Sequence, residues 1–315
     1  MRKLDVVTFG ESMGLFMPLQ NKSLERSQFI EQSFGGAESN VAIGLARLGI
    51  QAGWMGRLGT DPMGTAILKT LRGEQVDVSR ARQTSEAQTG MMLKDKHLDQ
   101  TLVFYYRRHS AASLMTPSDL DPSYIKQAKI LHLTGITPAL SPSCLDTCLY
   151  AIETAKQLGV KVSLDPNLRL KLWTIEEARK VLLPLIQEVD YFLPGLDELK
   201  LLLDTTNLED ILQYLKGFET ITVIKGAGES NLLLDNGVHE MPFYKVPQVV
   251  DPVGAGDGFA AGFLAGIIKG LTPHEAVELG SLVGAMVVQG TGDWEALPTW
   301  ETVEQLLGKK RKIER

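Results

Sequence analysis

The segment Val250-Asp251-Pro252-Val253-Gly254-Ala255-Gly256-Asp257-Gly258-Phe259-Ala260-Ala261-Gly262-Phe263 sets a carboxylate among small residues at the opening of a helix. Small residues there let backbone N–H groups approach an anion, and the positive helix terminus stabilises phosphate. A carboxylate in that place would repel phosphate unless it handles a proton or a cation. Phosphoryl transfer needs both parts, a base for the attacking hydroxyl and donors for the charge on the moving group. Asp257 is the candidate base, with Gly254, Ala255 and Gly256 supplying the amides. On this segment alone, a carboxylate that merely caps its helix is an equal reading.

Three further segments bear on that choice. In Gly35-Gly36-Ala37-Glu38-Ser39-Asn40-Val41-Ala42 the glycine pair permits close backbone approach, and Asn40, read as opening a helix over 40–48, offers a donor and an acceptor. Ile224-Lys225-Gly226-Ala227-Gly228-Glu229 follows a strand, and its glycines leave room for a nucleotide against the backbone. Pro194-Gly195-Leu196-Asp197-Glu198 brings another carboxylate to a strand end.

The 251–259 segment and the 35–42 segment, in that composition and order, resemble the two signatures of the PfkB-type (ribokinase-like) carbohydrate kinases, and the resemblance extends over essentially the whole chain. It implies a doubly wound α/β fold with a small β lid, and ATP with Mg²⁺ as cofactors. It implies Asp257 as base, Gly35 and Gly36 as the lid hinge, and Asn40 on substrate hydroxyls. Asn167, Lys225, Gly226, Gly228, Gly254 and Gly256 fall to ATP. Many members have Asn-x-x-Glu where this chain has Gly195-Leu196-Asp197-Glu198, so only Glu198 is carried over, acting on Mg²⁺ through water.

Phe104-Tyr105-Tyr106-Arg107-Arg108-His109-Ser110-Ala111-Ala112-Ser113 and Asp165-Pro166-Asn167-Leu168-Arg169 raise the question of the acceptor. Guanidinium forks match carboxylates, so arginines from two segments suit an acid rather than a neutral sugar. Tyr-Arg followed by Ser-Ala-Ala-Ser resembles the 2-keto-3-deoxygluconate kinases of the family. That resemblance implies Arg107 and Arg169 on the acid, Tyr105 lining the pocket and Asp293 on a distal hydroxyl. Spacing leaves the register of Arg107 against Arg108, and of Tyr105 against Tyr106, open, because strand alternation lets one of each pair face the ligand. Fructose and other sugars are alternative acceptors, and a sugar-acid sensor without turnover is the non-enzymatic alternative.

The elements that must position these residues read as α/β. A first strand over 4–9 ends in Gly10-Glu11-Ser12-Met13-Gly14, which lacks the G-x-G-x-x-G turn of dinucleotide-binding enzymes. A helix at 61–74 follows a strand at 52–59, and a hairpin joins 89–94 to 101–106. Beyond Pro117, helices at 119–127, 142–158, 174–188, 196–203 and 207–217 alternate with strands at 130–134, 160–164, 190–193 and 220–224. Such alternation implies a mostly parallel sheet with helices on both faces, and ligands at the strands' carboxyl ends. A hairpin at 232–244 and helices at 256–269, 273–289 and 299–307 complete the chain. The two stretches that leave this pattern, 12–34 and 88–112, form the expected lid of a single domain over 1–315.

Bulk properties agree. The chain has 315 residues, 44% of them hydrophobic and 22% charged, with a net charge of -6 that argues against a nucleic-acid surface. The basic run at 309–312 reads as a frayed terminus. No apolar run approaches the ~20 residues of a membrane span. Cys144 and Cys148, at helical spacing without a partner pair, read as buried and reduced, and a cytoplasmic setting is expected. The five histidines read as scattered and without a catalytic role. An exposed lid sheet needs its edge covered, and a homodimer through the lid is expected.

Overall fold

A computed structural model describes residues 3–19, 23–97, 100–227, 230–244 and 246–308. The chain opens with β1 (Val6–Phe9), leaves the main sheet through β2 (Met13–Pro18) and β3 (Ile30–Gly35), and returns by α1 (Ala37–Arg47) and β4 (Ala52–Met55). Next come β5 (Arg57–Gly59), α2 (Pro62–Gly73), β6 (Arg82–Thr84), and the hairpin β7 (Met91–His97) and β8 (Gln100–Tyr106). Regular alternation follows through α3 (Pro122–Ile125), β9 (Ile130–Thr134), α4 (Pro142–Gln157), β10 (Lys161–Asp165) and α5 (Ile175–Leu185). It continues through β11 (Tyr191–Phe192), α6 (Leu196–Leu203), α7 (Leu208–Leu215) and β12 (Ile221–Ala227). The hairpin β13 (Ser230–Leu234) and β14 (Val238–Pro242) precedes α8 (Ala255–Ile268), α9 (Pro273–Val287) and α10 (Trp300–Leu306).

The main sheet runs β14-β13-β12-β11-β10-β9-β1-β4, parallel from β12 to β4, with the last hairpin added antiparallel at one edge. Successive strand residues enter opposite cores, as the pleat requires. Val6, Ile130, Tyr191 and Val223 pack under α1, α2, α8 and α9, whereas Val7, Leu131, Phe192 and Ile224 pack under α4, α6 and α7. The fold is thus doubly wound, with Cys144 and Cys148 buried as free thiols in the second core.

Among the boundaries that differ from the sequence reading, three have a clear physical cause. The strand expected at 52–59 breaks at Gly56, where any Cβ would stand 2.1 Å from the Trp54 ring, and β5 pairs instead with β6. The helix expected at 119–127 shrinks to α3, because Pro117 and Pro122 each open a separate short turn. The helix read from Asn40 begins at Ala37, with Gly36 at its N-cap.

A separate four-stranded sheet, β3-β2-β7-β8, covers the carboxyl edge of the main sheet. Met13, Leu15 and Met92 form its inner core, and Val103 packs on them. Leu102, Phe104 and Tyr106 alternate out of that core and are exposed.

Helix α8, which carries Asp257, is fixed by glycine-mediated contact with α9. A Cβ on Gly262 would lie 2.8 Å from the Gly280 Cα and the Leu279 carbonyl, and one on Gly258 2.8 Å from Val287. Gly262→Val therefore forces the helices apart and costs about 1–3 kcal/mol of stability, read as a lower urea midpoint at unchanged slope.

Candidate active site

The carboxyl ends of β1, β9, β10, β11 and β12 and the inner face of the four-stranded sheet enclose a cavity of about 770 Å³. It is lined by every residue singled out above for a role, except Gly228, which lies outside the described residues, as does the basic run at 309–312. The register left open on β8 is resolved. Tyr105 and Arg107 line the cavity, while Tyr106 and Arg108 are exposed.

Asp257 stands in the first turn of α8 but does not cap it. The N-cap is Gly254, whose backbone is left-handed (φ 83°) and makes no side-chain cap bond. A Cβ at Gly254 would also meet the Asp293 carbonyl oxygen at 2.2 Å, so the turn admits only glycine. The Asp257 Oδ2 accepts a hydrogen bond from Asn40 Nδ2 at 2.7 Å, and the carboxyl is buried. Burial pushes its pKa up to about 7; the Asn40 bond and nearby Arg169 oppose the rise, and Asp165 and Asp293 add to it. The Asn40 Oδ1 is buried with no hydrogen-bond partner, an acceptor aimed at whatever fills the cavity.

A second group forms at the ends of β10, β11 and β12. Asp165 accepts from Lys225 Nζ at 2.6 Å and from the Asn167 N–H at 3.0 Å, and Asn167 takes a left-handed backbone (φ 37°). The Lys225 ammonium lies 3.7 Å from where a Cβ on Gly256 would stand, so it reaches the mouth of α8. Glu198 accepts from the Leu168 N–H at 2.6 Å and the Gly195 N–H at 2.7 Å; burial, then Asp165, raises its pKa. Each Glu198 oxygen keeps lone pairs after one N–H bond. Asp165 and Glu198 are therefore an all-oxygen donor set at the strand ends, of the kind a hydrated Mg²⁺ accepts.

The arginines are not equivalent. Arg107 donates from Nε to Glu11 Oε2 at 2.7 Å and from a terminal nitrogen to the same oxygen at 2.5 Å, and Glu11 is buried after β1. The pairing expected of two arginines on one ligand is thus altered, because the charge of Arg107 is already met inside the protein. Arg169 lines the cavity and forms no ion pair among the described residues.

Several residues at the site escaped the sequence reading. Lys94, on β7, donates to Asp251 Oδ2 at 2.8 Å and to Asp293 Oδ1 at 2.9 Å, so Asp293 already has a protein partner. Strand alternation held the signal, because Lys94 shares the inward parity of Met92. Glu38 is buried in the first turn of α1 and accepts from Thr134 and Thr137 hydroxyls at 2.6 and 2.8 Å. Phe243, Tyr244, Val246 and Val249 bring an apolar wall that no motif announced. Two of the scattered histidines do meet: His239 bonds Asp235 at 3.1 Å and lies edge-on to His274, at a hairpin and helix end that do not line the cavity.

The fold and the site together are those of a carbohydrate kinase. The model of the pfkB family carbohydrate kinases matches residues 3–300, and the chain belongs to that family. It is 41% identical over 99% of its length to 98% of a 2-dehydro-3-deoxygluconokinase of Bacillus subtilis. Among solved structures it is similar to a 2-dehydro-3-deoxygluconokinase of Thermotoga maritima (28% identity, TM-score 0.86, 97% of this chain and 99% of that one). It is also similar to a sugar kinase of Pyrococcus horikoshii in complex with ATP (26% identity, TM-score 0.80, 95% and 97%).

Carbon-13 NMR of the protein is expected to show the Asp257 carboxyl titrating with a midpoint of about 7. Asn40→Ala removes the one side-chain donor that favours its charged form, so the midpoint moves up; an unchanged or lower midpoint contradicts the assignment.

Proposed function

We propose that the chain transfers the γ-phosphoryl of ATP to the 6-hydroxyl of 2-dehydro-3-deoxygluconate (2-keto-3-deoxygluconate). The observation that carries this reading is Asp257, a buried carboxyl poised near neutrality at a glycine-lined helix mouth. The acceptor hydroxyl donates to Asp257, which takes its proton as the oxygen attacks, and the 254–257 amides hold the charge of the moving phosphoryl. The orphaned Asn40 oxygen accepts from a second hydroxyl. ATP lies along Lys225 and Gly226 towards the apolar wall of Phe243, Tyr244, Val246 and Val249. Glu198, beside Asp165, would hold Mg²⁺ through water, and the ion would neutralise phosphate oxygens when bound.

Arg169 supports an acid acceptor, because a guanidinium that lines the cavity without an ion-pair partner among the described residues is free to fork onto a carboxylate. Tyr105 and Arg107 shape the same end, and Asp293 bounds the distal hydroxyl. The four-stranded sheet acts as the lid over residues 12–34 and 88–112, hinged at Gly35 and Gly36. Two buried free thiols accord with a reducing, cytoplasmic setting.

Because a base must be ionised, kcat/KM rises with pH through about 7 and levels above it. Asp257→Asn lowers kcat by about 10²- to 10⁴-fold. Arg169→Ala lowers kcat/KM for 2-dehydro-3-deoxygluconate about 10- to 150-fold, the worth of a charge-assisted hydrogen bond, and leaves turnover of fructose nearly unchanged. A wild type that phosphorylates fructose and ignores the acid sinks the acceptor assignment.

The outer face of the lid supports a homodimer. Phe104 and Tyr106 are 48% and 61% exposed on one strand face, and an uncovered apolar sheet face invites a partner. Sedimentation equilibrium is expected to give twice the chain mass for the wild type and the single-chain mass for Phe104→Glu with Tyr106→Glu; a monomeric wild type refutes the dimer.

A further inference from the structure

Lys94 is a buried cation that the chemistry above leaves without a task. It belongs to β7 of the four-stranded sheet, yet its ammonium bonds Asp251 and Asp293, which follow the main sheet's last strand. All three side chains are at least nine-tenths buried. Both carboxylates border the turn at the mouth of α8. Asp251 Oδ1 accepts from the Val253 N–H at 3.1 Å, and the Asp293 carbonyl lies 2.2 Å from where a Cβ on Gly254 would stand. The Asp293 Oδ2 lies 2.1 Å from where a Cβ on Gly35 would stand. The residue that Lys94 grips is thus wedged between the glycine pair before α1 and the glycine turn before α8.

The grip does two things: it neutralises charge beside the turn, and it ties the turn to the covering sheet. Without the ammonium, two buried carboxylates flank a turn whose amides must receive an anion, and both oppose phosphate. With it, one net negative charge remains in place of two. No other described cation pairs with Asp251 or Asp293, since Lys225 is held by Asp165 and Arg107 by Glu11. The neutralising charge is carried by the covering sheet rather than by the body that holds the turn.

We propose that Lys94 is a positioning residue, which pairs with Asp251 and Asp293 so that the glycine turn accepts the transferred phosphoryl only while the four-stranded sheet is seated on the cavity. The proposal rests on the kinase reading of the site, not on the identity of the acceptor. Lys94→Met leaves two unpaired buried carboxylates, which can also weaken the fold, so a second variant separates the two effects. Lys94→Met/Asp251→Asn removes one charge of each sign.

The measurements are steady-state kinetics with ATP and whichever acceptor the wild type uses, together with thermal melts. Lys94→Met lowers kcat at least about tenfold with the KM for ATP within about twofold, and Lys94→Arg restores most of the loss. The double variant keeps the wild-type net charge beside the turn but lacks the tie to the covering sheet, so it melts close to wild type yet keeps the low kcat. Wild-type kcat in Lys94→Met, or recovery of kcat with the melting temperature in the double variant, overturns the proposal and leaves Lys94 a structural ion pair. Should Lys94→Met fail to fold, the double variant decides alone. A wild type inactive towards every sugar and sugar acid would refute the kinase reading instead.

Discussion

The hydrogen bond from Asn40 to Asp257 is the contact on which the rest of the site depends. It joins the first turns of α1 and α8, two helices that enter through glycine, at Gly36 and Gly254. The helices can stand that close because Gly44 faces Ala261, where a Cβ would come within 2.7 Å of the alanine methyl. The bond also sets the chemistry. A carboxylate that accepts several N–H bonds is held far down in pKa and makes a poor base, whereas one with none, fully buried, stays protonated. A single amide donor against deep burial leaves Asp257 between those limits.

The density of glycine follows from the same requirement. Asp293 must reach the glycine pair with its carboxylate and the α8 turn with its carbonyl, and no side chain fits at either place. Gly36 approaches the Glu11 carbonyl oxygen as closely, 2.2 Å from its notional Cβ. The backbone is therefore packed where substrate and phosphate must be packed, and α8 gains its rigidity from α9 rather than from its own amphipathic face. Rigid support is what lets a base be held to the tolerance that proton transfer demands.

Much of this was legible in the residues. The alternation of helix and strand beyond Pro117 gave β9 and α6 to the residue, because Gly135 closes the first and Pro194-Gly195 opens the second. The site motifs were legible for a different reason: glycines and a carboxylate in one short segment have few structural uses. Pairing was not legible. Nothing in the order of residues says that Arg107 meets Glu11, ninety-six positions earlier, or that Lys94 spans 157 and 199 positions to its two aspartates. Such contacts depend on how the two sheets face one another, which local patterns do not encode. Asn40 was misplaced by three residues at the helix start, because Gly36 hides the N-cap that a polar residue normally marks.

The distribution of charge closes the argument. Around the cavity Glu11 is matched by Arg107, Asp165 by Lys225, and Asp251 and Asp293 by Lys94. Glu38 is met by the Thr134 and Thr137 hydroxyls, and burial raises its pKa. Glu198 is met only by backbone N–H groups. Asp257 and Arg169 likewise have no ion-pair partner among the described residues. They are near enough that the arginine lowers the carboxyl's pKa, yet they do not bond. A cavity that keeps Asp257 and Arg169 apart holds room for a ligand between them, one with a proton to give at one end and a negative charge at the other. A hydroxy acid has both, and a neutral sugar has only the first.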